Sequence, residues 1–334
     1  MKKYNIAILG ATGAVGQQML KVLLERKLPY QHIKLLASKR SAGKVIHMEG
    51  KEFIIEETTE HSFDDIDFVL CAAENEVSLK YTPIAVAKGA IVIDNSSAYR
   101  LDEQVPLIIP EVNPHAIQQH KGIIANPNCA TIIALVALQP LHAYATIKRL
   151  VVSTYQAVSG AGVGGIQELD QQIKAIQEQK PILKNVFAHQ IAYNLIPQIG
   201  DFNELGYTAE EMKMQKEGRK ILENRDLAVN CTCVRVPIYR SHSESILVEF
   251  QNEIDVAKAK ELLKDAPGVK LVDNLEQQQY PMPIDTSDQD LVYVGRIRKD
   301  LSNHKHALTL WCCGDQIRKG AATNAVQILE LLLN

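Results

Sequence analysis

Cys129 is the residue whose sequence setting points most directly to chemistry. It stands in Asn126-Pro-Asn-Cys129-Ala-Thr, a run of turn-forming residues directly ahead of the apolar stretch IIALVALQPL. A helix beginning there would place the sulfur in its first turn, where the helix dipole and the unpaired N–H groups favour the thiolate. The alternative is a small buried core cysteine, which is the usual state of this residue type. The pattern leaves both interpretations open.

A thiolate that attacks a carbonyl group also needs a general acid or base, and histidine is the usual choice. Among the ten histidines, His242 lies in Arg235-Val-Pro-Ile-Tyr-Arg-Ser-His242-Ser-Glu-Ser, between two predicted strands and with two arginines nearby. The arginines suggest a pocket for an anion. Sequence separation does not show contact with Cys129, however, and a single histidine is more often structural.

A second candidate site is the glycine-rich stretch Gly10-Ala-Thr-Gly13-Ala-Val-Gly16, which follows the apolar run YNIAIL and precedes a predicted helix. Glycines permit a tight turn and close backbone approach, and the N-terminus of the helix offers N–H groups to a pyrophosphate. The stretch therefore predicts a dinucleotide site. A turn without a ligand is the alternative.

The end of the second predicted strand indicates which dinucleotide binds. An NAD site would place Asp or Glu there, against the ribose 2′-hydroxyl. This chain instead has Ala37-Ser38-Lys-Arg40-Ser41, with two cations and two hydroxyl groups. These donors suit a 2′-phosphate, so we predict NADP(H) as the cofactor, with a solvated loop as the alternative.

The elements that must position these residues fall into two groups. Up to about residue 125, short apolar runs, the last at 107–112, alternate with helical patterns near 14–26 and 77–88, which indicates βαβ units. From residue 147 onward the predicted strands are longer and mixed in polarity. They are typical of a mostly antiparallel sheet, which we expect helices near 165–179, 209–223 and 255–264 to cover on one face.

The predicted fold class is therefore α/β, with a Rossmann-type parallel-sheet domain and an α+β domain with a largely antiparallel sheet. We assign residues 1–127 and 316–334 to an NADP-binding domain, because the amphipathic C-terminal helix could return to it. Residues 128–315 form the predicted catalytic and dimerisation domain. A length of 334 residues is consistent with two domains.

Composition excludes several classes of protein. A hydrophobic fraction of 46%, a charged fraction of 22% and a net charge of −3 predict a globular protein that binds neither nucleic acid nor a membrane. Without a signal segment or a membrane-spanning stretch, we expect a cytoplasmic location. The six cysteines fit neither a disulfide framework nor a metal site. We expect all except Cys129 to be core residues on strands.

Ten ordered blocks along nearly the whole chain resemble the bacterial aspartate-semialdehyde dehydrogenase family. They are GATGAVG, SKRSAGK, DNSSAYR, PEVN, NPNCAT, STYQAVSGAG, EEMKM, RVPIYRSHSES, VGRIRKDLS and KGAATNAVQ. The resemblance implies NADPH-dependent reductive dephosphorylation of L-aspartyl 4-phosphate through a cysteine thioester. That reaction belongs to lysine, threonine, methionine and diaminopimelate biosynthesis. A homodimer or homotetramer is also implied.

The resemblance also implies a role for each matching residue. Cys129 would be the nucleophile, His242 the general base and Gln156 the residue that orients the thiohemiacetal. The substrate carboxylate would bind Arg235 and its amine Glu210. The phosphate pocket that the resemblance implies consists of Arg100, Asn128 and Lys213. The implied cofactor contacts are Gly10, Thr12, Gly13, Ala14, Val15, Ser38, Arg40, Ser41, Ser159, Gly160 and Asn324.

The sequence departs from the family pattern at one five-residue stretch and at one single position. Ala72-Ala-Glu74-Asn-Glu76 replaces a small Gly/Ser-rich turn, so its carboxylates could weaken NADP binding. Ala130 replaces the hydroxyl residue that commonly follows the cysteine. The alternative functions are N-acetyl-γ-glutamyl-phosphate reductase and a non-catalytic NADP-binding protein, while an enzyme of the glyceraldehyde-phosphate type fits less well.

Overall fold

The computed structural model describes residues 2–302 and 305–333. The chain divides into two compact units. Unit 1 comprises Met1–Asn128 and Gly320–Asn334, and unit 2 comprises Cys129–Lys319. Within the described ranges, no helix is both long enough and apolar enough to cross a membrane.

Unit 1 is built on a seven-stranded sheet in the order β3-β4-β2-β1-β5-β6-β7. All its neighbouring strands pair in parallel except β3 and β4, which form an antiparallel hairpin at one edge. The strands are β1 (Tyr4–Leu9), β2 (Tyr30–Ala37), β3 (Val45–Met48), β4 (Lys51–Glu57), β5 (Phe68–Cys71), β6 (Ile91–Asp94) and β7 (Ile123–Ala125).

Helices cover both faces of this sheet: α1 (Ala14–Glu25), α2 (Asn75–Ala87) and α8 (Asn324–Leu333). Strand β1 shows why, because its side chains alternate between the faces. Ile6 and Ile8 join one apolar cluster with residues of α1 and α8, whereas Ala7 and Leu9 join another with Ala85 of α2. The C-terminal helix α8 therefore packs within unit 1.

Unit 2 contains a six-stranded sheet in the order β11-β12-β13-β10-β8-β9. Its strands are β8 (Ile147–Ala157), β9 (Ala228–Val236), β10 (His242–Phe250), β11 (Val269–Leu271), β12 (Val292–Lys299) and β13 (Ala307–Gly314). The three pairings around β13 and β10 are antiparallel, and those of β8 with β9 and β11 with β12 are parallel.

The helices of unit 2 are α3 (Cys129–Ala145), α4 (Gly162–Gln177), α5 (Ala209–Ile221), α6 (Val256–Lys264) and the short α7 (Pro283–Thr286). Helices α3, α5 and α6 contact the strands of the sheet. The side chains of β10 alternate between buried and half-buried along most of its length. One face of the sheet is therefore a core, and the other is partly exposed.

The sequence-based prediction was wrong in three places. The run 107–112 contributes one isolated bridge, from Leu107 to Ala125, because the strand beside β6 is the short Ile123–Ala125. The hairpin β3-β4 and the strand β11 were missed, since their residues are largely exposed or few. Helix α3 covers the second sheet although it was not among the helices expected there.

Candidate active site

Cys129 is the first residue of α3, as predicted. Strand β7 ends at Ala125, and the turn that follows leads directly into the helix. Cys129 is half-buried, whereas the other five cysteines are buried and lie on strands. This contrast separates the candidate nucleophile from the core cysteines.

Three neighbouring strands of unit 2 place Arg235, Gln156 and His242 side by side. Gln156 on β8 is paired in register with Arg235 on β9, and the backbone N–H of Ala157 donates to Nδ1 of His242 over 3.2 Å. All three side chains are at least 93% buried, with exposures of 7%, 1% and 1%. The sheet therefore brings together residues that lie far apart in the sequence.

His242 is neutral at physiological pH. Burial, followed by the positive charge of Arg235, lowers its pKa to about 3. Because Nδ1 accepts the Ala157 N–H, the single proton of the neutral ring is on Nε2. In this state Nε2 of His242 is a hydrogen-bond donor.

The turn before His242 is fixed by a buried amide. Ser241 has a left-handed φ of 71°, which is unfavourable for a residue with a side chain. Its N–H donates to Oε1 of Gln316 over 2.8 Å, and Nε2 of Gln316 donates to the hydroxyl of Ser159. Gln316 thereby joins the histidine turn to the Ser159-Gly160 turn.

Helix α5 places the carboxylate of Glu210 beside Gln156. Nε2 of Gln156 donates to Oε1 of Glu210 over 3.2 Å, and Oε2 of Glu210 pairs with Nζ of Lys213 at 2.9 Å. A capping box between Thr208 and Glu211 starts this helix, and Oε1 of Glu211 also accepts the backbone N–H of Cys233 on β9. One motif thus begins the helix and docks it on the edge strand.

The guanidinium of Arg235 is enclosed on several sides. Its Nη1 donates to the carbonyl oxygen of Ala157 over 2.7 Å. A Cβ atom on Gly160 would lie only 2.6 Å from Nη1, so glycine makes room for the arginine. Burial lowers the pKa of Arg235, while the negative charges of Glu210 and Cys129 oppose that shift. The thiol and the guanidinium therefore belong to one electrostatic site.

The glycine-rich loop of unit 1 is shaped for close approach. Gly10 has a φ of 85°, and a Cβ there would lie 2.6 Å from the carbonyl oxygen of Ala72. Gly13 is the N-cap of α1, whose first two residues are the predicted contacts Ala14 and Val15. A cavity of about 610 Å³ is lined by Gly10, Thr12 and Ser38. This cavity lies where a parallel sheet of this order would bind a dinucleotide.

The residues after β2 form a 3₁₀ turn, Lys39–Ser41. Arg40 is exposed, and Ser41 is 8% exposed. Lys39 lines the cavity together with Glu57, Glu74 and Glu76. Cations and carboxylates thus share the region where the 2′-phosphate was predicted to bind.

The remaining predicted residues of unit 1 follow the carboxyl ends of β6 and β7 in the chain or, in the case of Asn324 of α8, contact them. Arg100 donates to the carbonyl oxygens of Asn126 and Asn95 over 2.9 and 2.7 Å. Asn324 donates to the side-chain oxygen of Asn126 over 2.7 Å. Asn128, which is 7% exposed, ends the first of the two segments of unit 1. These contacts hold the two strand ends together.

Sequence reasoning missed several residues at these sites, among them Asn95, Phe187 and Gln316. The side-chain oxygen and nitrogen of Asn95 are buried and have no partner within residues 2–302 and 305–333. Its position directly after β6, in DNSS, is the signal that could have identified it, since polar residues at strand ends often bind ligands. Phe187 and Gln316 carry no such local signal.

Two family models match the chain. Residues 5–120 match the semialdehyde dehydrogenase NAD-binding domain, and residues 138–319 match the semialdehyde dehydrogenase dimerisation domain. A curated aspartate-semialdehyde dehydrogenase from Aquifex aeolicus is 51% identical over 334 residues, covering 99% of this chain and 98% of the relative. This chain belongs to the aspartate-semialdehyde dehydrogenase family.

Other members of the aspartate-semialdehyde dehydrogenase family agree in sequence and in fold. A relative from Prochlorococcus marinus is 47% identical over 329 residues, covering 98% of this chain and 96% of the relative. The crystal structure of aspartate semialdehyde dehydrogenase II from Vibrio cholerae, complexed with ASA, has a TM-score of 0.97 and 44% identity. It covers 100% of this chain and 99% of its own.

For this aspartate-semialdehyde dehydrogenase family member, the matches also settle two general properties. Unit 1 contains the domain that binds a nicotinamide cofactor. The dimerisation-domain model, which matches most of unit 2, supports assembly into an oligomer.

Proposed function

We propose that the chain reduces L-aspartyl 4-phosphate to L-aspartate 4-semialdehyde with NADPH, releasing phosphate, through a thioester on Cys129. The observation that carries this proposal is the grouping in unit 2. The half-buried Cys129 at a helix start is in electrostatic contact with Arg235, beside Gln156 and His242. The aldehyde product would supply the biosynthesis of lysine, threonine, methionine and diaminopimelate.

The first half of the reaction is acyl transfer. The Sγ thiolate of Cys129 attacks the acyl carbon, the bond from that carbon to the phosphate oxygen breaks, and phosphate leaves with the electron pair. The product is a thioester. Two anionic groups must be held, and we assign the α-carboxylate to Arg235 and the phosphate to Arg100, Asn128 and Lys213.

The second half reduces the thioester. When bound, the nicotinamide cofactor supplies the hydride in this direction and accepts it in the reverse. His242 then offers its Nε2 proton as a hydrogen bond to the developing oxyanion, while Gln156 orients it. Breaking of the carbon–sulfur bond releases the aldehyde and restores the thiolate of Cys129, so no proton has to leave His242.

The predicted role of His242 as a general base is the alternative. It requires a lone pair on Nε2, and the neutral ring has one there only if the proton moves to Nδ1. Nδ1 faces the N–H of Ala157. We therefore favour the hydrogen-bond donor over the base.

The residues of unit 1 fit the proposed NADP(H). The glycine loop lets the backbone approach a pyrophosphate, the cavity has the size of a nucleotide site, and Asn95 has unpartnered polar atoms among the described residues. We assign the pyrophosphate to Gly10, Thr12, Gly13, Ala14 and Val15, and the 2′-phosphate to Ser38, Arg40 and Ser41. Ser159, Gly160 and Asn324 are the proposed contacts to the nicotinamide half.

The decisive test measures NADPH formation from aspartate semialdehyde with and without phosphate, for the wild type and Cys129→Ala. We expect phosphate-dependent activity in the wild type and its loss in the variant, because only the thiol can form the thioester. Cys231→Ala, which alters a buried strand cysteine, is the matched control and should keep its activity. Wild-type protein that binds NADPH but shows no activity would contradict the proposed function.

A further inference from the structure

A buried carboxylate on α4 holds the backbone of a neighbouring segment. Glu168 is 3% exposed. Its Oε2 accepts the backbone N–H groups of Asn185 and Val186 over 2.7 and 2.5 Å, and its Oε1 accepts that of Phe187 over 3.3 Å. Three successive N–H groups that converge on one carboxylate fix the path of this segment, since charge-assisted hydrogen bonds are the stronger kind.

The next turn of α4 extends this anchoring. Gln172 is 1% exposed and donates to the carbonyl oxygen of Leu183 over 3.0 Å. Its Oε1 accepts the N–H groups of Ile191 and Ala192 over 2.9 and 3.1 Å. The segment from 183 to 192 is thus bound to α4 at both ends.

The anchored segment carries Phe187 to the guanidinium of Arg235. The centre of the Phe187 ring lies 5.8 Å from Cζ of Arg235, within the range of a cation–π contact. The ring also packs against an apolar cluster that includes Leu169 of α4. Gly164 leaves room for this arrangement, because a Cβ there would lie 3.3 Å from Cγ2 of Val186.

The ring limits how Arg235 can bind an anion. Among the described residues, the guanidinium makes one hydrogen bond, from Nη1 to Ala157. The Phe187 ring offers the guanidinium no hydrogen-bond acceptor, so the remaining N–H groups stay available for a planar fork-to-fork contact with a carboxylate. The ring also helps to exclude water from the charge of Arg235, which is 7% exposed, and this strengthens the contact.

We propose that Phe187 and Glu168 are positioning residues for Arg235: the ring orients the guanidinium for the substrate carboxylate, and Glu168 orients the ring. The proposal rests on the proposed function, in which Arg235 binds that carboxylate. It assigns neither residue a contact with the substrate. Both act on substrate affinity through Arg235.

Replacing the ring tests the contact with Arg235. Phe187→Leu should raise the KM for aspartate semialdehyde about 3- to 30-fold, the range expected for loss of a partly buried cation–π contact. The kcat and the Kd for NADP+ should stay near the wild-type values, because the thiol and the cofactor site are unchanged. Phe187→Tyr keeps the ring and should keep the wild-type KM.

Replacing the anchor tests the path from Glu168 to the ring. Glu168→Gln keeps the side-chain shape and loses one acceptor oxygen, so it should also raise this KM. If Glu168 acts through the ring, the double variant with Phe187→Leu should be no worse than the weaker-binding single variant. The control is Glu178→Gln, the C-cap of the same helix, whose carboxylate is 38% exposed.

An unchanged KM in Phe187→Leu would overturn the proposal, as would a fall in kcat at unchanged KM. Additive effects in the double variant would show that Glu168 acts independently of the ring, which contradicts the inferred order. Failure of the proposed function is separate, because the wild type itself would then not oxidise aspartate semialdehyde.

Discussion

Glu244 is a carboxyl group in the core of unit 2. It lies on β10, opposite Thr154 on β8 and Cys312 on β13, and it is fully buried. Neither of its oxygens, nor the hydroxyl oxygen of Thr154, has a hydrogen-bond partner in the part of the chain that the structure describes. Burial raises the pKa of Glu244 well above its usual value, and the negative charge of Glu210 adds to the shift.

Glu244→Gln should stabilise the protein at neutral pH. In the wild type the unfolded carboxyl ionises above about pH 4.3, whereas the folded one keeps its proton, so unfolding releases a proton and stability falls as pH rises. The advantage of the variant should grow by about 1.4 kcal/mol per pH unit from that pH up to the folded pKa, and vanish below it. Urea unfolding at several pH values measures this difference.

Glu253→Gln is the control for this experiment, because its carboxylate is 64% exposed. The difference in free energy of unfolding between Glu253→Gln and the wild type should not grow with pH as it does for Glu244→Gln. A pH-independent difference between Glu244→Gln and the wild type would mean that Glu244 is ionised in the folded protein.

Single residues differ in how far the sequence identifies them. Cys129 was predicted from the turn formers that precede it, and the structure places it at the start of α3. Phe187 could not be predicted, because an aromatic residue in a loop has no pattern of its own. Its place beside Arg235 depends on Glu168, which looks like an ordinary polar residue of an amphipathic helix.

At the scale of elements, the 3₁₀ turn Lys39–Ser41 is the segment to which we assign the proposed preference for NADP(H). Lys39 of this turn lines a cavity that Glu57, Glu74 and Glu76 also line, so a 2′-phosphate bound there would meet charges of both signs. The carboxylates of Glu74 and Glu76 belong to the start of α2. The proposed preference for NADP(H) would therefore depend on direct hydrogen bonds rather than on net charge.

Arg40→Met should raise the Kd for NADP+ by about tenfold or more, the loss expected for a hydrogen bond between charged groups. The Kd for NAD+, which lacks the 2′-phosphate, should hardly change. Fluorescence titration with each dinucleotide gives both constants, and Lys44→Met, at an exposed cation nearby, is the control. An equal loss of affinity for both dinucleotides would assign Arg40 a structural role instead.

At the scale of the whole molecule, unit 2 has a partly exposed sheet face. Val151, Leu247 and Thr309 stand in register across β8, β10 and β13, and all three are half-buried. Tyr155 and Trp311 lie on the same face with their ring centres 5.3 Å apart. A half-buried aromatic and aliphatic face is typical of a surface that another subunit covers.

Leu247→Glu should convert the expected homodimer into monomers, because a carboxylate at the centre of this face would lose its hydration on association. Analytical ultracentrifugation measures the mass. Ile54→Glu, at a residue of unit 1 that is 64% exposed, should leave the mass unchanged. A dimer that persists with Leu247→Glu would place the interface on another surface.

The sequence by itself determined the types and order of most elements, the glycine loop before α1 and the cysteine at the start of α3. These features can be read from local patterns, which are hydrophobic periodicity, turn-forming residues and glycines at positions where the backbone passes close to a neighbouring segment. The strands of unit 2 other than β11 were predicted for the same reason, whereas the short or exposed strands β3, β4, β7 and β11 gave too few buried residues for a pattern.

Only the tertiary structure decided which side chains share a site. Arg235, Gln156 and His242 meet because β9, β8 and β10 are neighbours in the sheet, and that order is not encoded in any one segment. The same pairing buries His242 beside Arg235 and lowers its pKa to about 3. Charge state and hydrogen-bonding direction depend on burial and on neighbours that are distant in sequence, so they become definite only when the chain is folded.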